Sequence, residues 1–328
     1  MFASLRLQLS MVISLSAVIG CVQSNETPSQ TLQTDKNLPR IVVTSQPLLQ
    51  MTHAIVGDAA DVVLVVPGDT SSRDWSPTAD DARIMQQAGL ILISGAGYEP
   101  WKDRVSLPGS RTRDTAADYY DQLIRIPDAV THQHGPDGPH SHPGTVWSTW
   151  LDPELCAAQL HQVSIACGRL VPEQKKSIEA AEARLSAELN SLIPMIDSIK
   201  AAGKHEARTV YSDTPHYLYL TRRLGWTLSY LHWDSASTLS ETDRTELVKT
   251  FSANTSSNPT RNSDRIFLLD SRHSADTEDF VHNSGGTVVR IDLCETPGPE
   301  STSLTNRLKQ NLQRIRDAIE QTGVGKVD

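Results

Sequence analysis

The chain has 328 residues, 38% of them hydrophobic and 21% charged, with a formal net charge of −9. That length is generous for one hydrophobic core and comfortable for two. The acidic balance excludes a broad nucleic-acid-binding surface and suits cations without proving a role for them.

In chain order, Arg6 precedes a mostly apolar stretch from Leu7 to Gly20. The stretch is too short, and too interrupted by Ser and Gln, for a good spanning helix. Residues 1–20 therefore read as an export signal. It ends in Val18-Ile19-Gly20-Cys21, which resembles the lipobox of bacterial lipoproteins. The resemblance implies that Cys21 is acylated, becomes the first mature residue and anchors the chain to a membrane. A plain signal peptide beside a chance cysteine is the alternative. Residues 21–38 are polar and rich in Ser, Thr, Gln and Asn, as a tether between anchor and domain should be.

Strands and helices then alternate. Strands are expected at Ile41–Thr44, Val62–Val66 and Leu90–Ile93, and helices at Leu48–Val56 and Thr78–Ala88. Uniformly apolar strands between helices point to a parallel sheet covered on both faces. Leu151-Asp152-Pro153-Glu154 starts a helix, with Asp as N-cap and Pro in the first turn. A long helix begins near Pro172. Ile178, Leu185, Leu189, Leu192, Ile196 and Ile199 form its core stripe, and Pro194 should kink it.

The alternation resumes with strands Thr209–Tyr211, Thr227–Leu231, Ile266–Leu269 and Thr287–Ile291. Helices are expected at His216–Leu224, Glu241–Phe251, Asp276–Asn283 and Leu304–Thr322. The expected class is α/β: an N-terminal lobe over 39–170, a linking long helix over 171–203 and a C-terminal lobe over 204–328. Open parallel sheets bind ligands beyond their strands' carboxyl ends, so the cleft between lobes is the expected site. Cys156 and Cys167 fall on one face of one helix, about 16 Å apart along its axis, too far to bridge. Cys294 is left to pair with one of them, or all three are buried free thiols.

The sharpest local signal is His132-Gln133-His134-Gly135-Pro136-Asp137-Gly138-Pro139-His140-Ser141-His142. Its Gly and Pro residues mark a loop, 131–143. Neutral imidazoles bind zinc and similar metals well, so His132, His134, His140 and His142 are candidate ligands. A weakly metal-sticky loop without a defined site is the bland reading. His216, at a helix start, and Asp292, at a strand end, would both sit on the carboxyl edge of the second sheet. His232 and Asp234 are spare candidates near that edge, and Asp270 is positioned to orient a ligand.

With these residues in place, the chain resembles the zinc- and manganese-type (cluster A-I) substrate-binding proteins of ABC importers. The likeness runs through Asp74-Trp75-Ser76-Pro77-Thr78, Gly95-Ala96-Gly97-Tyr98-Glu99-Pro100-Trp101, Trp150-Leu151-Asp152-Pro153, the His216 helix and the Asp292 strand end. It implies two lobes on one rigid helix, little closure, and one metal in the cleft. It also implies delivery of that metal, Zn2+ or Mn2+, to an importer permease by a monomeric lipoprotein facing the periplasm or cell exterior. Two family ligands are replaced: Arg73 stands four residues before Pro77, and Ser148 two before Trp150, where histidines are usual. The resemblance matches the other two ligands to His216 and Asp292.

Arginine is a very poor ligand, because its guanidinium stays protonated. Either the histidine loop supplies the missing ligands, with His142 nearest in sequence to Ser148, or the protein has lost tight metal binding and Arg73 marks a different, anionic ligand or a structural ion pair. A closed shell of His142, a second loop histidine, His216 and Asp292 would suit carriage rather than catalysis. An exported metalloenzyme is the rival, but the chain contains no His-Glu-x-x-His or Gly-x-Ser-x-Gly sequence. A surface adhesin or a periplasmic metal buffer of the same fold is the other.

Overall fold

In a computed structural model of the protein, residues 36–328 form one compact unit. The described residues are 38–68, 70–126, 131–133, 139–141, 144–202, 208–234, 237–253, 265–298 and 302–321. The expected export signal, Cys21 and all of the tether but Leu38 lie outside them, as do His134 and His142.

The first half runs β1 (Arg40–Val43), α1 (Gln46–Val56), β2 (Asp61–Leu64), α2 (Ala79–Gln87), β3 (Leu90–Ile93) and β4 (Thr112–Asp114). Four short strands follow: β5 (Arg125–Ile126), β6 (Thr131–Gln133), β7 (Pro139–Ser141) and β8 (Gly144–Thr145). Next come the helices α3 (Pro153–Leu170), α4 (Lys175–Asn190) and α5 (Ile193–Ala202). The second half is β9 (Thr209–Ser212), α6 (Leu218–Leu224), β10 (Thr227–Tyr230), α7 (Glu241–Ala253), β11 (Ile266–Asp270), α8 (Ala275–Asn283), β12 (Thr287–Ile291) and α9 (Leu304–Gln321).

Local chemistry fixes most of these boundaries. Ser45 caps α1 by accepting from Leu48 N, and Thr78 and Asp81 close a capping box on α2. Asp152 caps α3 with Pro153 in its first turn, and Gly225 ends α6 in the left-handed region at φ 71°.

Both halves carry a four-stranded, all-parallel sheet of the same order, β2-β1-β3-β4 and β10-β9-β11-β12. Their central strands are apolar on both faces. Ile41 and Val43 face the main core, and Val42 faces a second one with Trp75, Met85 and Trp101. In β11, Ile266 and Leu268 face the main core, while Phe267 and Leu269 pack with Trp233 and Phe251. The main core is continuous through both halves, from β1 and α1 across α3, α4 and α5 to β9, β11 and α9. Each Val, Leu, Ile or Met side chain buried there contributes roughly 1.5–3 kcal/mol.

The expected single long helix is two. The chain turns at Ser191 and Leu192 between α4 and α5, and Pro194 falls in the first turn of α5, where its missing N–H costs nothing. Strand β4 was not legible in the sequence: Thr-Arg-Asp is polar and sits at the sheet edge. Cys156, Cys167 and Cys294 are buried free thiols.

Candidate metal site at the meeting sheet edges

In each sheet the strand order reverses once, between β1 and β3 in the first and between β9 and β11 in the second. Beyond the carboxyl ends at such a switch point is where open α/β sheets hold ligands. In the first sheet that ground belongs to Glu99. Its Oε1 accepts from Thr44 Oγ1 at 2.6 Å and Ser94 N at 2.7 Å, and its Oε2 from Gly95 N at 3.0 Å. Burial pushes the carboxyl up to about 7, against those hydrogen bonds. Gly95, Ala96 and Gly97 run consecutively in the left-handed region, with φ of 75°, 54° and 81°. Gly95 is required there, since a Cβ would lie 2.0 Å from Asp114 Oδ1.

At the second switch point, Asp213 Oδ2 accepts from Asp270 N at 3.1 Å and lies 3.0 Å from His273 Nε2. Burial raises the Asp213 carboxyl, and the hydrogen bond to His273 opposes it. Asp270 orients an arginine: its Oδ2 takes Arg272 Nε at 2.9 Å and Nη2 at 2.6 Å.

The two edges meet at Glu295, just past β12. Its Oε1 accepts from Ser71 Oγ at 2.7 Å and Tyr98 Oη at 2.9 Å, both from the first half. Its Oε2 takes Arg272 Nη2 at 3.1 Å. Burial raises the Glu295 carboxyl, and Arg272 pulls it back down. The crevice bounded by Thr44, Ser45, Ser72, Tyr98 and Glu295 has no room for a water molecule. Trp150 Nε1, donating to Leu293 O at 2.9 Å, and Arg223 Nε, donating to Asp152 Oδ1 at 3.0 Å, add further ties between the halves.

His216 lies in a single helical turn, Pro215–Tyr217, between β9 and α6. Its ring packs on Trp147 with centroids 4.4 Å apart, and its carbonyl accepts the Ser148 hydroxyl. Ser148 thus supports the turn that carries His216. Trp147 in turn packs on Tyr98 at 4.9 Å.

Asp292 is engaged elsewhere. Its Oδ2 accepts from Arg307 Nε and its Oδ1 from Arg307 Nη2, both at 2.6 Å, and Oδ1 also takes Cys294 N at 2.8 Å. A metal using this carboxylate would have to displace a guanidinium whose side chain is 3% exposed. His232 packs edge-on against Tyr230, and Asp234 accepts from Ser237 Oγ.

The histidine-rich segment contains a backbone hairpin. Strands β6 and β7 pair antiparallel with His132 opposite His140. Separately, β5 pairs with β8, Ile126 opposite Gly144 and Arg125 opposite Thr145, and Val146 N continues the ladder to Ile124 O. The next residue is Trp147, so the ladder ends beside the ring that packs on His216.

Among the described residues, no three His, Cys, Asp or Glu side chains are arranged to hold a metal ion. Sequence reasoning overlooked Glu295, Arg272, Asp213 and His273 as members of this edge. The usable signal was position, since Asp213 and Asp270 lie at or just past the ends of apolar strands.

A family model described as zinc-uptake complex component A, periplasmic, matches residues 41–318. A putative metal-binding protein of Treponema pallidum is 28% identical over 190 residues, covering 54% of this chain and 58% of that protein. The chain thus matches under two thirds of that relative's length. Among solved structures, the Pseudomonas aeruginosa substrate-binding protein FpvC with Mn2+ superimposes with a TM-score of 0.68 at 18% identity, over 87% of this chain and 99% of that one. Zn(II)-bound AdcA of Streptococcus pneumoniae gives 0.67 at 15%, over 87% and 58%. At such identities the two structures share the fold.

Proposed function

Because this chain belongs to the periplasmic zinc-uptake component A family, we propose that it captures one divalent metal ion, zinc foremost, and delivers it to the permease of an ABC importer. Its shell draws on His216 and on histidines of the segment 131–143, His132, His134, His140 and His142. The observation that supports this reading is that the β5–β8 ladder ends beside Trp147, whose ring packs on His216 with centroids 4.4 Å apart. Imidazole-rich coordination favours zinc over Mn2+, which prefers oxygen. Asp292 stays with Arg307, whose two short bonds to its oxygens already satisfy the carboxylate. Acylation at Cys21 would keep the receptor at the membrane face where the permease opens.

The test is metal content and affinity of the wild type, His216→Ala, and a variant with His132, His134, His140 and His142 all changed to Ala. One tightly held zinc, lost in both variants, supports a receptor whose hairpin completes the shell. Loss only in His216→Ala makes the hairpin an accessory collector. A wild type without tight metal overturns the reading. Metal uptake by cells that depends on this chain separates an importer receptor from an adhesin or a buffer.

A further inference from the structure

We propose that the cavity walled by α1, α3, α4 and the start of α9 is a second ligand site, and that it takes an uncharged amphiphile, an apolar chain with a hydroxyl or amide head. The site shares no residue with the proposed metal shell and stands independently of it.

The cavity measures about 530 Å3, within the range of small-molecule sites. Folded interiors leave few voids larger than a water molecule, so a space of this size between packed helices is not ordinary slack. Helix α1 turns one stripe toward it, with Gln46, Leu49, Gln50, His53 and Ala54 recurring at helical spacing. Helix α3 supplies Cys156 and Leu160, α4 supplies Leu185 and Leu189, and α9 supplies Leu304. His53 and Ala54 are exposed, whereas Gln46, Cys156, Leu160, Leu189 and Leu304 are buried. The cavity therefore opens past the first pair and deepens toward the others.

Two amides on the α1 stripe lack partners. The Gln46 side chain is 7% exposed and makes no hydrogen bond among the described residues. It also borders the crevice at Glu295, which has no room for a water molecule, so a partner for it must come from the cavity side. One turn on, Gln50 Oε1 is buried with no hydrogen-bond partner. Buried polar groups are normally paired. An amide both donates and accepts, so a hydroxyl, ester or amide head would satisfy it.

Charge decides between heads. Among the described residues lining the cavity there is no Asp, Glu, Lys or Arg. A carboxylate or ammonium head would be taken from water without a counter-ion, at high cost. The leucine walls suit an apolar chain of any head group, so the discrimination lies with the amides.

Calorimetric titration with monodecanoylglycerol, decanoate and decyltrimethylammonium, each below its critical micelle concentration, tests this. The protein is the chain from Val22 onward, which keeps the whole described fold and carries no acyl group. We expect one monodecanoylglycerol per chain, a raised melting temperature in its presence, and binding of both charged chains at least roughly tenfold weaker. Gln46→Leu should bind monodecanoylglycerol at least roughly tenfold less tightly, yet melt no lower than the wild type, because the amide it removes has no partner in the protein. Ala54→Trp, at the exposed rim, should weaken all three chains by covering the mouth. Equal affinity for charged and uncharged chains, or full affinity in Gln46→Leu, overturns the proposal. So does a wild type that binds none of the three, and one that also sediments as a dimer has filled the space with a second copy. Zinc enters none of these readouts, so the metal reading stands or falls separately.

Discussion

The Tyr98 hydroxyl donates to Glu295 Oε1 at 2.9 Å, joining the loop after β3 to the loop after β12, the two halves of the molecule. The Tyr98 side chain is buried and Glu295 is 5% exposed, so the bond is shielded from water. With Ser71 on the same oxygen and Arg272 on the other, Glu295 ties the two sheet edges directly. Tyr98→Phe should cost about 1–3 kcal/mol through the lost donor. Glu295→Ala should cost about 3–5 kcal/mol, because Arg272 and the Tyr98 hydroxyl lose a buried partner. Urea unfolding of the two variants, compared at constant m-value, checks both the order and the size.

Glu99 gives the fold a pH dependence of unusual sign. Its pKa stands at about 7 in the folded protein, against an ordinary value of 4.5. The folded state therefore binds a proton more readily than the unfolded chain, and stability falls as pH rises from 4.5 to about 7. The cost above that window is on the order of 3 kcal/mol. Raised carboxyls at Glu295 and Asp213 act in the same direction. Glu99→Gln should be less stable at acid pH, since its amide meets the Gly95 N–H, but should show a shallower fall across the window. Equal slopes for wild type and variant, in melts from pH 4.5 to 8, would remove Glu99 from this role.

Most of the fold was legible in the sequence, because short apolar runs such as Leu90–Ile93 and Ile266–Leu269, alternating with longer helical patterns, suit strands buried on both faces. Asp152 and Gly225 marked helix ends by local chemistry, whereas Thr78, expected as the first helical residue, is the cap of α2. The site was less legible. Its key pairs, Tyr98 with Glu295 and Ser148 with His216, join residues 197 and 68 positions apart. No spacing rule reaches that far. Asp292 looked free at a strand end because the arginine that claims it, Arg307, is the fourth residue of α9, 15 positions further on, where a basic residue is unremarkable.

The left-handed run at 95–97 should separate two glycines sharply. At Gly95, φ is 75° and a Cβ would sit 2.0 Å from Asp114 Oδ1 and 2.9 Å from Ala116 Cβ, so Gly95→Ala must displace backbone. At Gly97, φ is 81° but the space is open, so Gly97→Ala meets only the conformational penalty of about 1–2 kcal/mol. Thermal melts should show a modest loss for Gly97→Ala. Gly95→Ala should fall well below it or fail to accumulate as folded protein. A Gly95→Ala protein as stable as Gly97→Ala would contradict the packing of the rim.

Asp292→Ala distinguishes a structural carboxylate from a metal ligand. The side chain of Arg307 is 3% exposed and holds Asp292 through two bonds of 2.6 Å, so removing the carboxylate leaves a buried guanidinium without its anion. A loss of about 3–5 kcal/mol is expected, with part of it recovered in Asp292→Ala/Arg307→Met, where both charges are gone. Zinc affinity, measured below the shifted melting temperature, should remain close to wild type in that double variant, whereas His216→Ala should lose it. Zinc binding that vanished in the folded double variant would show that Arg307 yields Asp292 to the metal, and the shell would then be His216, Asp292 and hairpin histidines.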